Sequence, residues 1–248
     1  MYKFLLSTLL LISCLVGCSG ESKMVEKTSA PSAENINLIA RAKAIHAIAL
    51  TLDPHADIEI PGKPSSYVGR DGLSKVAPSK MHAGGLDAVV MAVAVGPMPR
   101  NTAGYAAAAK LAQIKLEAVK MLAADKTNNS VIVLSTDDLI TAHKEGKSAL
   151  LLGFQNALIL GTEIDGINDL YSSGVRVFAL THMGHNDFAD SSRTLFDGDN
   201  GRREPDAEHG GLSTLGKAAI KKINLLGGIM DISQLSSQAA LQAIELSV

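Results

Sequence analysis

The sequence predicts an α/β fold built on a parallel sheet. Two observations carry this. Strand-length apolar runs alternate with segments of helical spacing, and no hairpin signal joins one run to the next. The runs are also nearly continuous in apolar residues, as expected of strands covered on both faces. A doubly wound sheet and a barrel both satisfy these observations. The composition suits one substantial core: 248 residues, 46% hydrophobic and 19% charged.

The first residues read as a targeting segment. Lys3 is the positive start, and Phe4 to Val16 is an apolar stretch too short to span a bilayer comfortably. It ends in Leu15-Val16-Gly17-Cys18. That tetrapeptide resembles the bacterial lipoprotein signal, in which the cysteine becomes the lipidated first residue. The expected organisation is a signal peptide over 1–17, a lipidated Cys18 with a polar tether over 18–35, and one domain over 36–248. The expected location is the periplasmic face of a bacterial membrane, the outer membrane included. An ordinary secretory signal is the competing reading. With Cys14 removed and Cys18 lipidated, no thiol is left for a disulfide framework.

A helix is expected from Ile36 to about His46, and a strand from Ala47 to His55. "LDAVVMAVAV", Leu86 to Val95, is a doubly buried strand stopped by Gly96-Pro97. Thr102 to Ala124 places Leu111, Ile114, Ala118 and Met121 at helical spacing. Val131 to Leu134 is a short apolar stretch. Thr136 caps a helix from Asp137 to about Lys144. Ala149 to Phe154 is a strand, Ile164 to Ser173 a helix closed by Gly174, and Val175 to Thr181 a strand. Ser213 caps a helix through Leu226, with Gly227 at its end. Gly228 to Ser233 is a strand, and Ser236 or Ser237 opens a last helix. Gly84-Gly85 precedes a strand rather than following one, so it is no nucleotide loop.

Charge and composition narrow the function. The net charge is −2, from 23 basic and 25 acidic residues, with no basic stripe. Aromatics are 4% and Trp is absent. Nucleic acid is therefore not an expected partner. The polar residues instead gather at the C-terminal ends of the strands, where parallel α/β folds bind ligands. The first strand ends in His55 and Asp57, the "ALLLGFQNA" strand in Gln155-Asn156, and "VRVFALTHMGHND" in Thr181-His182. "GGIMDISQ" ends in Asp231, Ser233 and Gln234. His55 and Asp57, two apart on a strand, share a face and could hold a divalent metal. On spacing alone, Asp53-Pro54 and a nearby histidine favour a turn.

"DPHAD", "GKSALLLGFQNA", "VFALTHMGHNDFADSS" and "GGLSTLGKAAIKKINLLGGIMDISQLS" occur in that order. In them the chain resembles the N-terminal portion of the membrane dipeptidase family, metallopeptidase family M19, over about Leu50 to Val248. The resemblance implies a (β/α)8 barrel of the metal-dependent hydrolase type. About five or six strands are recognisable, where eight close a barrel. It also implies a two-zinc site, a dipeptide or related small amide as substrate, and a homodimer. His55 and Asp57 match the family's His-x-Asp ligands, and His182 matches a histidine that contacts substrate. Asn156 is expected to contact substrate too. Gln155 stands where the family typically has a glutamate bridging both metals, and Gln234 where it has a histidine ligand. Neutral amides weaken zinc affinity and leave less negative charge between two dications. A single ion on His55 and Asp57, or a harder metal that favours oxygen ligands, is the alternative.

The expected function is a membrane-anchored metallodipeptidase-like hydrolase that uses metal-activated water. The competing function is a non-enzymatic envelope lipoprotein that binds a small peptide or acts as a scaffold. His185 and Asn186 are expected to shape a loop, and Asp190-Ser191-Ser192 to cap a turn. His46, His82, His143 and His209 are expected at the surface. Asp197, Asp199 and Asp206 read as a solvated acidic loop.

Overall fold

The computed structural model describes residues 33–197 and 201–247. The expected lipoprotein signal, Cys18, most of the expected tether and Asp199 lie outside the described residues. Contacts divide the chain into residues 1–42 and 43–248. A helix, α1 (Ala33–His46), runs across that boundary. Among the described residues, no helix is long and apolar enough to cross a membrane.

In residues 43–248 the order is β1 (Leu52–Asp57), α2 (Pro78–Gly84), β2 (Ala88–Ala94), α3 (Thr102–Ala124), β3 (Ser130–Ile132), α4 (Thr136–Lys144) and β4 (Ser148–Gln155). Then follow α5 (Gly166–Ser172), β5 (Val175–Ala179), a small hairpin of β6 (Phe196–Asp197) and β7 (Arg202–Arg203), α6 (Thr214–Leu226), β8 (Ile229–Asp231) and α7 (Ser237–Leu246). The main sheet has six strands, all paired in parallel, in the path β1-β2-β4-β5-β8, with β3 beside the start of β4.

That path never reverses in chain order. A doubly wound sheet has a switch point where the order turns back, whereas a barrel winds one way. The two faces of the sheet agree. Val89, Met91, Val93, Leu150, Leu152, Phe154 and Phe178 form one core with the inner sides of α3 and α6. Val90, Leu151 and Val177, on the opposite face, line a groove of about 430 Å³. Helices on one face and a concave side-chain-lined groove on the other are the geometry of an incomplete (β/α)8 barrel. Its two edge strands carry exposed apolar residues, Leu52 and Ile229.

Several boundaries differ from expectation. The first strand begins at Leu52, not Ala47. Ala47 and Ala49 still donate to helical carbonyls of α1, at Lys43 and Ile45. The Thr51 N–H and hydroxyl are taken by Asp87, at 2.7 and 2.9 Å. The strand ends at Asp57, two residues past the expected His55, and crosses a register shift between Asp53 and Ala56. Pro54 cannot donate to a ladder, and a bulge in an edge strand is where it is tolerated. Ser135, not Thr136, caps α4, accepting from Asp138 N at 3.1 Å. Ser236 caps α7. His143 and His209 are not free surface residues. His143 Nδ1 lies 2.9 Å from Asp87, and His209 Nε2 lies 2.8 Å from Asn186 O.

Candidate functional site

All main strands run in parallel, so their C-terminal ends meet on one side. The groove there is lined by His55, Gln155, Asp231, Ser233 and Gln234 above the aliphatic floor of Val90, Leu151 and Val177. Three of the expected site residues, His55, Gln155 and Gln234, are thus brought together. Ala56 is buried on the helix side of β1, and its neighbour His55 lines the groove. Asp57 lies beside Tyr67, whose phenol it holds above its ordinary value through its charge and a hydrogen bond, with burial adding to the effect.

Three buried polar atoms at these strand ends have no hydrogen-bond partner: Thr181 Oγ1, His182 Nδ1 and Gln234 Oε1. A buried orphan costs about 1–3 kcal/mol, so most native structures satisfy such groups. Here one hydroxyl, one imidazole nitrogen and one amide oxygen have no protein partner. Burial pushes the His182 imidazole below its ordinary value, the Arg193 charge adds to this, and Asp57 opposes it. His182 is therefore neutral near pH 7.

The backbone that presents these groups is fastened from below. Ser191 Oγ lies 2.6 Å from His182 O and 3.3 Å from Gln234 O, tying the ends of β5 and β8 together. Gln234 itself has φ of 63°, and Asn156 has φ of 83°. Side chains other than glycine adopt this region at a cost, and such strain collects at functional sites. Asn156 is a supporting residue. Its carbonyl oxygen accepts from Leu158 N and Asn186 Nδ2, and its amide donates to Val95 O. Asn156, expected to contact substrate, is buried and makes these three bonds.

The loop after His182 is shaped as expected. Asn186 donates to Leu180 O and accepts from Phe188 N and Ala189 N. His185 Nδ1 accepts from Ser191 N, and Nε2 lies 2.8 Å from Pro205 O. That pairing fixes the tautomer protonated on Nε2. The 3.6 Å approach of His185 Nδ1 to Asp190 is therefore not an ion pair. Asp190 caps the loop over residues 208–211 through backbone N–H groups.

Lys115 had no signal in the sequence, being one of many polar positions on a long helix. The fold places its ammonium where burial lowers its pKa and the Asp57 carboxylate raises it. Arg193 is a second cation whose charge reaches His182.

The donor set tests the metal that the resemblance implies. His55 and Asp57 supply one imidazole and one carboxylate; Gln155 and Gln234 supply only neutral amide oxygens. Among the described residues, no group of three or more His, Cys, Asp or Glu side chains could hold a metal ion. Two adjacent dications need shared negative charge, which this set lacks. Gln155 and Gln234 therefore do not fit a two-ion centre, and His55 and Asp57 are the residues here with donors suited to a divalent ion.

A family model described as membrane dipeptidase, peptidase family M19, matches residues 39–248. Dipeptidase aclJ of Aspergillus oryzae is 35% identical over 94 residues, which are 38% of this chain and 20% of that protein. An uncharacterized dipeptidase of Schizosaccharomyces pombe, C965.12, is 29% identical over 134 residues, 54% of this chain and 30% of that one. The crystal structure of the probable dipeptidase PvdM from Pseudomonas aeruginosa superposes with a TM-score of 0.75 at 30% identity. It covers 86% of this chain, which spans 53% of PvdM. The chain thus spans about half the length of that structure and matches less of the curated relatives.

Proposed function

The chain belongs to the membrane dipeptidase family, peptidase family M19, and from that membership we propose that it is a metal-dependent hydrolase acting on dipeptides or related small amides. The observation that carries this reading is the set of buried polar atoms without a protein partner on Thr181, His182 and Gln234 at the strand ends, where Gln234 lines the groove. A hydroxyl, a neutral imidazole and an amide oxygen together match the N–H and C=O groups of a short peptide.

His55 and Asp57 would hold one divalent ion. Such an ion, when bound, polarises a carbonyl and makes a water nucleophilic at neutral pH. The chain's own groups do the rest. Gln234 Oε1 accepts an N–H of the substrate. The aliphatic floor takes a side chain and excludes water. His182, whose charged form burial disfavours, donates a hydrogen bond to the carbonyl oxygen as that oxygen takes on negative charge. Lys115 and Arg193, whose charges reach His182, would favour a substrate carboxylate near that side chain.

The test is hydrolysis of L-Ala–L-Ala by the full chain, first stripped of metal with a chelator and then given Mn2+ or Zn2+. Turnover that needs the added ion and is lost in His55→Ala supports the reading. Turnover indifferent to the chelator sinks it. Saturable binding of the dipeptide without turnover would favour the second reading, a non-enzymatic peptide-binding lipoprotein, which Gln155 and Gln234 motivate.

We also propose that lipid on Cys18 anchors the domain at the periplasmic face, a reading supported by Leu15-Val16-Gly17-Cys18. Cys18→Ser should move the protein out of the membrane fraction. A homodimer is the proposed assembly, and sedimentation of the detergent-solubilised protein tests it.

A further inference from the structure

The crossover from β1 to β2 contains only the seven-residue α2. So short a helix does not fill the outer layer between the crossover and α3. A cavity of about 600 Å³ remains there, and none of its lining residues lines the strand-end groove. Ile58, Val76, Met91, Val119 and Leu122 form its walls.

Its polar lining is unevenly satisfied. Asp125 is occupied by Thr127 N and Oγ1, at 2.9 and 2.7 Å. Asn128 donates to Leu122 O, and Ser74 Oγ accepts from Val76 N. Glu59 Oε1 is buried and has no partner. The lining holds two carboxylates, Glu59 and Asp125, and no Lys, Arg or His. A carboxylate in an apolar wall is costly unless a cation or a donor pairs with it.

We infer that this cavity is a second binding site, separate from the strand-end groove, for a small amphipathic amine. The apolar body of the ligand fills the space between α2 and α3. Its ammonium pairs with the Glu59 carboxylate, which lines the cavity. Anionic and neutral ligands of the same shape gain only the apolar contact, and an anion is repelled by both carboxylates.

The experiment uses the full chain labelled with 13C at the methionine methyl groups. Met91 and Met121 line the cavity, whereas Met230 lines the strand-end groove, so the three signals separate the two sites. The probes are cyclohexylmethylamine, cyclohexylmethanol and cyclohexanecarboxylate at pH 7. The amine should shift Met91 and Met121 saturably, leave Met230 still, and bind about tenfold or more tightly than the alcohol, as expected for a charged hydrogen bond. Glu59→Gln should erase that preference while the alcohol still binds. Three results would overturn the inference: no saturable shift with the amine, shifts confined to Met230, or equal affinity for amine and carboxylate. The probe comparison on the unsubstituted protein decides the matter even if Glu59→Gln folds poorly. None of these readouts depends on dipeptide hydrolysis.

Discussion

Asp190→Asn should destabilise the domain far more than a typical polar substitution. The Asp190 side chain is fully buried. One oxygen accepts Glu208 N at 2.8 Å and His209 N at 3.0 Å; the other accepts Gly211 N at 2.7 Å and His209 N at 3.2 Å. Asparagine keeps one oxygen and turns the other into an NH2 group. If the retained oxygen holds Glu208 and His209, the new NH2 faces the Gly211 N–H, donor against donor. A lost charge-assisted bond costs about 1.5–3 kcal/mol, and a stranded buried donor about 1–3 kcal/mol more. The sum, roughly 3–5 kcal/mol, is a large part of an ordinary net stability of about 5–15 kcal/mol. At this chain length it should lower Tm by roughly 10 °C. The pH dependence follows from the same geometry. Burial pushes the Asp190 carboxyl up, but the N–H groups of Gly211, Glu208 and His209 outweigh it and hold the pKa below its ordinary value. A depressed carboxyl stabilises the fold fully above its unfolded pKa, about 3.9, and loses that contribution as pH falls through the folded value. The gap between wild type and Asp190→Asn should therefore narrow below about pH 4. Urea unfolding followed by circular dichroism at pH 7 and pH 3.5 measures both effects. A loss under about 1 kcal/mol at pH 7, or a gap unchanged with pH, would refute the reasoning.

Gly216→Ala should also destabilise, because its Cβ would lie 2.0 Å from Phe188 O. The helix α6 must then lift from the 186–190 loop at a cost of about 1–3 kcal/mol, and an unchanged thermal midpoint would count against that contact. Thr181→Val removes an orphan hydroxyl, so stability should hold or rise by up to about 1 kcal/mol while dipeptide affinity falls. A clear stability loss on thermal unfolding would mean that the hydroxyl has a partner. Gln155→Glu combined with Gln234→His supplies a carboxylate and an imidazole to the groove. Zinc retained after desalting, measured by plasma mass spectrometry, should rise relative to wild type; equal retention would mean that the glutamines do not limit metal binding.

Much of the fold was legible in the residues. "AVVMAVA" is apolar throughout, and every residue of β2 is buried. Ser213 and Gly227 bracket α6 as caps because a hydroxyl there accepts Gly216 N and a glycine accommodates φ of 73°. The strand ends stood out because polar residues follow abruptly on apolar runs, and parallel strands must deliver them to one side. Local energetics governed these features, so they could be read locally. The start of β1 could not, because α1's last turn and the distant Asp87 compete for residues 47–51. Nor could the direction of winding, since one alternation of strands and helices serves both a barrel and a doubly wound sheet. Sequence by itself determined the elements, their parallel sense and the residue types at the rim. Tertiary structure alone decided that Asn156 is bonded within the fold while Thr181, His182 and Gln234 each leave a buried polar atom without a protein partner. Whether a buried group is satisfied depends on partners tens of residues away, as with Val95 and Asn186 around Asn156, and no local pattern encodes that distance.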